Sequence, residues 1–148
     1  MKTITICDKE YEIDCNALTY VKYRELFKRG IFDDIKLLQS FLTKQVLIVE
    51  QLKKENKEID DATIITSLSR LMINDMDLFV EAATRIAYIM IYTANKKTVE
   101  YEKWLESISH IKTNDEWIAE VTEFAVNCFC WQWIIWKSRK SKQKWTRY

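Results

Sequence analysis

The chain has one glycine, Gly30, no proline and one histidine, His110. With so little glycine there is no Walker loop, no Gly-rich dinucleotide turn and no serine nucleophile elbow, because each needs glycine to approach phosphate or to turn sharply. The shortage also argues against an all-β fold, which needs many turns. A lone histidine without Cys-x-x-Cys spacing leaves no metal-ligand pattern. The longest nearly apolar run, Cys128 to Trp136, has nine residues with Gln132 inside it. That is far short of the ~20 a membrane span needs. The opening Met1-Lys2-Thr3 leads into alternating polar residues rather than the apolar core of a signal peptide, so a cytoplasmic protein is expected. Charge of one sign is lacking too: 23 basic residues meet 22 acidic ones, so no whole-chain field points to nucleic acid.

What the chain does have is apolar content. Hydrophobic residues make up 48% and aromatics 13% of 148 residues, enough to build one packed domain. The balanced charge is unevenly placed. Seventeen basic and 22 acidic residues precede residue 124, and six basic and no acidic ones follow it. The body is therefore acidic, and the end is basic and rich in tryptophan.

Ile4, Ile6, Tyr11 and Ile13 alternate with polar residues around Asp8-Lys9. A two-residue turn at Asp8-Lys9 pairs Ile4 with Ile13 and Ile6 with Tyr11, so a hairpin over about residues 3–14 gains one apolar face. The same register sets Cys7 opposite Glu10 and Cys15 opposite Lys2, so no cross-hairpin disulfide is expected. The remainder reads as helix. Asn16 caps a first helix that runs to Gly30 as its left-handed stop, with Leu18, Val21, Leu26 and Phe27 on its apolar side. Asp33 or Asp34 opens a second helix to about Glu55, with a stripe at Ile35, Leu38, Leu42, Val46 and Val49 widened by Phe41, Ile48 and Leu52. The charged segment 53–61 reads as a loop. Asp60 or Asp61 opens a third helix, and Asn74 or Asp75 a fourth to about Ala94. The fourth is apolar nearly all round and is thus expected to be the central one. Thr98 caps a short fifth helix with Tyr101, Trp104, Leu105 and Ile108 at i, i+3, i+4 and i+7. Thr113-Asn114-Asp115-Glu116 has the form of a capping box for the last helix, whose inner face carries Trp117, Val121, Phe124, Ala125 and Cys128. The expected fold is mainly α: a compact domain of about six helices with one N-terminal β-hairpin, spanning residues 1–136. Residues 137–148 form a basic, tryptophan-containing tail.

Candidate chemistry is sparse. His110 follows Ser107 and Ser109 near a helix end, where it serves helix carbonyls more readily than catalysis, since no third group lies beside it in sequence. Asp75-Met76-Asp77 resembles the start of a calcium loop but lacks the closing glycine and glutamate, so it reads as a helix cap. The carboxylates of Glu100, Glu102 and Glu106, and of Glu116, Glu120 and Glu123, read as solvated helix faces. Cys128 and Cys130 point ~200° apart on a helix and cannot chelate together. The four cysteines read as buried free thiols. No catalysis, cofactor or metal is therefore expected.

The C-terminal cluster offers most. Trp131, Trp133 and Trp136 fall within six residues, more than one helix face buries, and Lys137, Arg139 and Lys140 follow. These six residues read as a protein-interaction site, set against two alternatives. One is a helix clamped into the core; the other is membrane-surface or nucleic-acid contact.

Several stretches resemble the tail assembly chaperones of long, non-contractile-tailed phages and prophages of Gram-positive bacteria. These are the opening Ile4-Thr5-Ile6 through Ile13, Tyr23-Arg24-Glu25-Leu26-Phe27 followed by Gly30 and Asp33-Asp34, Ala87 to Asn95, and Tyr101-Glu102-Lys103-Trp104-Leu105. The resemblance covers roughly residues 3–125, and the order and spacing of the stretches carry it. Lys28-Arg29 before the glycine and the basic tail depart from the family pattern. The resemblance implies a non-catalytic protein of the bacterial host cytoplasm. Its expected work is to bind the tape-measure protein, keep its helices soluble and bring tail-tube protein to it, with a homo-oligomer as a further expectation. Such proteins often come in two lengths through a programmed frameshift, and this chain looks like the shorter. The alternative reading is a small DNA- or membrane-surface-binding regulator acting through the basic tail. It is weakened by basic residues that sit beyond the folded body rather than along a recognition helix.

Overall fold

The computed structural model describes residues 1–54, 61–112 and 115–131. Two antiparallel strands, β1 (Lys2–Ile6) and β2 (Lys9–Ile13), precede five α-helices: α1 (Ala17–Phe27), α2 (Ile31–Lys54), α3 (Asp61–Ala94), α4 (Tyr101–Ser107) and α5 (Glu116–Ala125). α5 continues into a π-helical turn, Val126–Trp131. The expected mainly α fold with one N-terminal hairpin is the fold observed.

The hairpin turns one residue earlier than its sequence suggests. Cys7 (φ 50°) and Asp8 (φ 65°) are its central residues, both at the positive φ that a type I′ turn demands. Ile4 therefore pairs with Tyr11, Ile6 with Lys9 and Lys2 with Ile13. The correction moves every pair by two residues, and side chains alternate with period two. The same apolar face consequently survives the shift. Ile4, Ile6 and Ile13 are almost wholly buried, and the Asp14 N–H donates to the Met90 carbonyl at 3.2 Å, fastening the end of the hairpin to α3.

Helix α3 is the axle. The two helices expected over residues 60–94 are one helix of 34 residues, about 50 Å long. Asn74 and Asp75 have only mildly low helix propensity, and no glycine or proline is present to end the helix there. Asp75 and Asp77 are thus exposed residues inside a helix rather than caps. Phe79, Ala82, Ala83, Ile86, Ala87, Ile89 and Met90 are fully buried, and α1, α2, α4, α5 and β2 all pack against this helix. Its alanines let neighbours approach closely, and Phe79 stacks on Phe41 of α2 with ring centroids 4.0 Å apart.

Three helix ends and two faces depart from expectation. The first helix stops at Phe27, and the left-handed residue is Lys28 (φ 56°), whose N–H donates to the Arg24 carbonyl; Gly30 has no positive φ. Val21 and Leu26 lie outward at 58% and 50% exposure, while Thr19 and Tyr23 face in. The inward face of α1 is chosen by hydroxyls that find partners, since Thr19 meets Thr93 at 2.7 Å and Tyr23 meets Asp34. Thr19 also completes a capping box with Asn16, the expected N-cap. On α2, Val46 points outward at 56% exposure, and the helix begins at Ile31, placing Asp33 and Asp34 inside its first turn. Thr98 closes α3 by donating to the Asn95 carbonyl rather than capping α4, whose N-cap is Glu100. Asp115 is the N-cap of α5 without a side-chain cap bond; Thr113 and Asn114 lie outside the described residues.

Candidate functional site

Of the six residues expected to meet a partner, only Trp131 falls within the described backbone, where it ends the π-helical turn. Trp133, Trp136, Lys137, Arg139 and Lys140 lie outside the described residues.

The strongest concentration of charge inside the fold is one the sequence reading passed over. Asp34 has no solvent exposure. Its Oδ1 accepts Nη2 of Arg85 at 3.1 Å and Nη2 of Arg29 at 2.8 Å; its Oδ2 accepts Nε of Arg85 at 3.0 Å and the Tyr23 hydroxyl. The forked geometry toward Arg85 is the strong form of a carboxylate–guanidinium contact. Burial, then the hydrogen bond and charge of Asp34, push the Tyr23 phenol well above its ordinary value. Burial alone would lower Arg85. The hydrogen bonds to Asp34 and Tyr23 outweigh it and hold the guanidinium above its ordinary value. Each Asp34 oxygen already takes two donors, so none of its lone pairs is left for a substrate proton. The arrangement is a tether: it joins α1, the α1–α2 link, α2 and α3. One signal in the sequence pointed to it. Ile31, Asp34, Ile35, Leu38 and Phe41 fall on one helix stripe, and an acid on an apolar stripe must be paired.

Beside the tether lies an aromatic cluster. Tyr101 meets Phe27 (4.9 Å), Tyr88 (5.2 Å) and Trp104 (6.3 Å), and Phe27 meets Tyr23 (4.9 Å). The Tyr88 hydroxyl donates to the Val99 carbonyl, and the Tyr101 hydroxyl lies 3.0 Å from Thr84 Oγ1. Burial pushes both phenols above their ordinary value. Trp104 alone of this cluster reaches an open groove of about 630 Å³ between β2, the end of α3 and α4. Tyr11, Ile91 and Trp104 line it together with Lys97 and Lys103. Trp104 is 2% exposed, and its indole N–H has no acceptor. A smaller pocket of about 180 Å³ opens between α2 and α3 at Leu37, Phe41, Lys44, Asp75 and Leu78.

The cysteines correct the expectation of free thiols. Cys15 and Cys128 form a disulfide, with Cα atoms 6.6 Å apart, that joins the residue before the α1 N-cap to the π-helical turn. The two are 113 residues apart, and the packing of α5 against β1, α2 and α3 brings them together. Cys7 is free and half-buried, and its thiol donates to the His110 carbonyl at 3.0 Å. His110 itself is exposed, with Nδ1 3.0 Å from Ser109 Oγ. Among the described residues no three histidine, cysteine or acidic side chains come together as a metal site, and no described helix is long and apolar enough to cross a membrane. Against protein-family models, curated proteins and solved structures alike, the chain finds no match.

Proposed function

We propose that the chain is a non-catalytic tail assembly chaperone of a long-tailed phage or prophage. In this reading it binds the tape-measure protein in the bacterial host cytoplasm and helps tail-tube protein assemble on it. The observation that carries the reading is the ordered set of resembling stretches from Ile4 to Leu105. A physical feature supports it. Val21, Leu26, Val46, Leu47 and Leu78 stand on the surface of α1, α2 and α3, each at least 44% exposed. Apolar side chains spread over several helices suit a protein that must cover the apolar helices of another chain.

Co-expression with the tape-measure protein from the same genome tests this. The chaperone should raise the soluble yield of its partner and co-purify with it, and a double change of Val46 and Leu47 to glutamate should weaken both effects. A soluble yield that does not depend on the chain would overturn the reading. The six basic residues after residue 124 favour one second reading, a DNA- or membrane-surface-binding regulator. DNA affinity that falls steeply with salt would support it, and affinity flat in salt would exclude phosphate contacts as its basis.

A further inference from the structure

β2 has one edge bonded to β1 and, among the described residues, one edge free. With Cys7 and Asp8 as the two turn residues, Ile6–Lys9, Ile4–Tyr11 and Lys2–Ile13 are the hydrogen-bonded pairs. Glu10 and Glu12 therefore direct their N–H and C=O groups away from β1. No described residue bonds to these groups, and the first fastening on that side is Asp14 N–H to the Met90 carbonyl. Residues 9–12 also line the groove of about 630 Å³ that separates β2 from α4. A free strand edge beside open space is a template for a further strand.

The side chains along this edge select what pairs with it. The residues whose backbones point outward are Glu10 and Glu12, and the same alternation places Asp8 before them and Asp14 after. A second copy pairing β2 against β2 would set acid opposite acid in every register that satisfies the backbone, an arrangement that repels. A strand with lysine or arginine opposite Glu10 and Glu12 meets attraction at both positions. Its alternate residues turn the other way, toward the groove side that carries Lys97 and Lys103. Acceptor side chains suit those positions. We propose that the free edge of β2 is a docking site for an extended segment of a partner protein in which basic residues alternate with acidic or carboxamide ones. The site stands on this geometry alone and does not rest on the chaperone reading.

A short synthetic peptide alternating lysine and glutamate is the probe. Its control has the same composition arranged as a lysine block followed by a glutamate block. Amide exchange in the full-length chain is the readout. The alternating peptide should slow exchange at Glu10 and Glu12 by roughly tenfold or more at saturation, and the block peptide should leave both unchanged. Glu12→Pro removes an outward N–H that β1 does not use. It should abolish binding while the Tyr11 and Ile13 amides stay protected. Equal protection by the block peptide, or undiminished binding by Glu12→Pro with those amides still protected, would overturn the proposal. So would Glu10 and Glu12 amides that are already protected in the free chain and open when Lys140, Lys142 and Lys144 are changed to glutamate. The edge would then belong to the chain's own terminus.

Discussion

Replacing Asp34 by alanine removes the buried carboxylate that pairs with the fork of a buried guanidinium. Arg85 keeps only 13% of its side chain in solvent, and after the change its fork faces an apolar gap with Glu81, 3.7 Å from Nη1 and itself 60% exposed, as the remaining acid. Removing one partner of a buried ion pair costs about 3–5 kcal/mol, because the other charge stays buried and unpaired. Arg29 is 39% exposed, so solvent screens its charge and its share of the loss is smaller than that of Arg85. A domain of this size is stable by about 5–15 kcal/mol, so the single change takes a large part of the total. Urea denaturation followed by circular dichroism measures the loss, and a cycle with Arg85→Met isolates the pair. If Asp34 and Arg85 act as one unit, removing both should cost less than the sum of the single changes by about 1–3 kcal/mol. A loss under about 1 kcal/mol for Asp34→Ala, or single losses that simply add, would refute the tether.

The remaining expectations concern the bridge, the backbone and the tyrosines. Unfolded, unreduced protein should show two free thiols out of four by thiol titration, and Cys15→Ser with Cys128→Ser should lower stability by about 2–4 kcal/mol; four free thiols would remove the disulfide from the account. Gly30 has no positive φ, and an added Cβ would meet nothing nearer than Asp33 Oδ2 at 3.5 Å, so Gly30→Ala should be neutral or raise stability by about 0.4–1 kcal/mol in thermal melts. Lys28→Gly, at φ 56°, should also stabilise, by roughly 0.5–1 kcal/mol, and a loss of stability there would contradict the left-handed cap. The phenols of Tyr23, Tyr88 and Tyr101 are raised above 10.0 in the folded chain, so their contribution is fully present below about pH 10 and falls as pH rises past it, where unfolded phenols ionise and folded ones keep their protons. Stability measured from pH 9 to 11.5 should decline, and Tyr23→Phe should make the decline shallower.

Much of the architecture was legible because it rests on periodicity. The burial of Ile4, Ile6 and Ile13 on one strand face, and of Phe79, Ala83, Ile86, Ala87 and Met90 on one helix face, follows from spacing alone. The errors fall where a local pattern carries no preference. One aspartate serves a turn at Asp8-Lys9 or at Cys7-Asp8 equally, so turn chemistry did not fix the register. Asn74-Asp75 can start a helix or sit inside one, and the packing of α3 against its neighbours decided for continuity. On α1, Val21 and Leu26 outscore Thr19 and Tyr23 in hydrophobicity, yet the hydroxyls face inward because Thr93, far off in sequence, and Asp34, on the next helix, bond them. The disulfide was illegible for the same reason, since no local rule brings residues 15 and 128 together.

The compartment and the bridge make opposite demands on the proposed function. Disulfides persist in oxidising surroundings and are rare in a reducing cytoplasm, where a tail chaperone would work. Alkylating the thiols at the moment of lysis distinguishes the two: two protected cysteines place the working protein outside a reducing compartment and count against the chaperone reading. Four reactive ones would make the bridge a bond formed after release.

The buried residues among those that carry the family resemblance do one kind of work in the fold. Tyr23 and Asp34 belong to the tether; Phe27, Tyr88, Tyr101 and Trp104 form the aromatic cluster beside it; Ala87 lets α3 pack closely. None of them is exposed. Two chains that share these positions would share a way of joining α1, α2, α3 and α4, whatever their surfaces bind. Partner choice must then reside in residues outside the resembling set, such as the outward apolar side chains Val46 and Leu47, or in those within it that face solvent, such as Glu10 and Glu12 on the free strand edge. Surface variants at these positions, which leave the interior intact, therefore separate a shared fold from a shared function. Losing tape-measure solubilisation through Val46 and Leu47 while the helical content stays unchanged would locate the function on that surface.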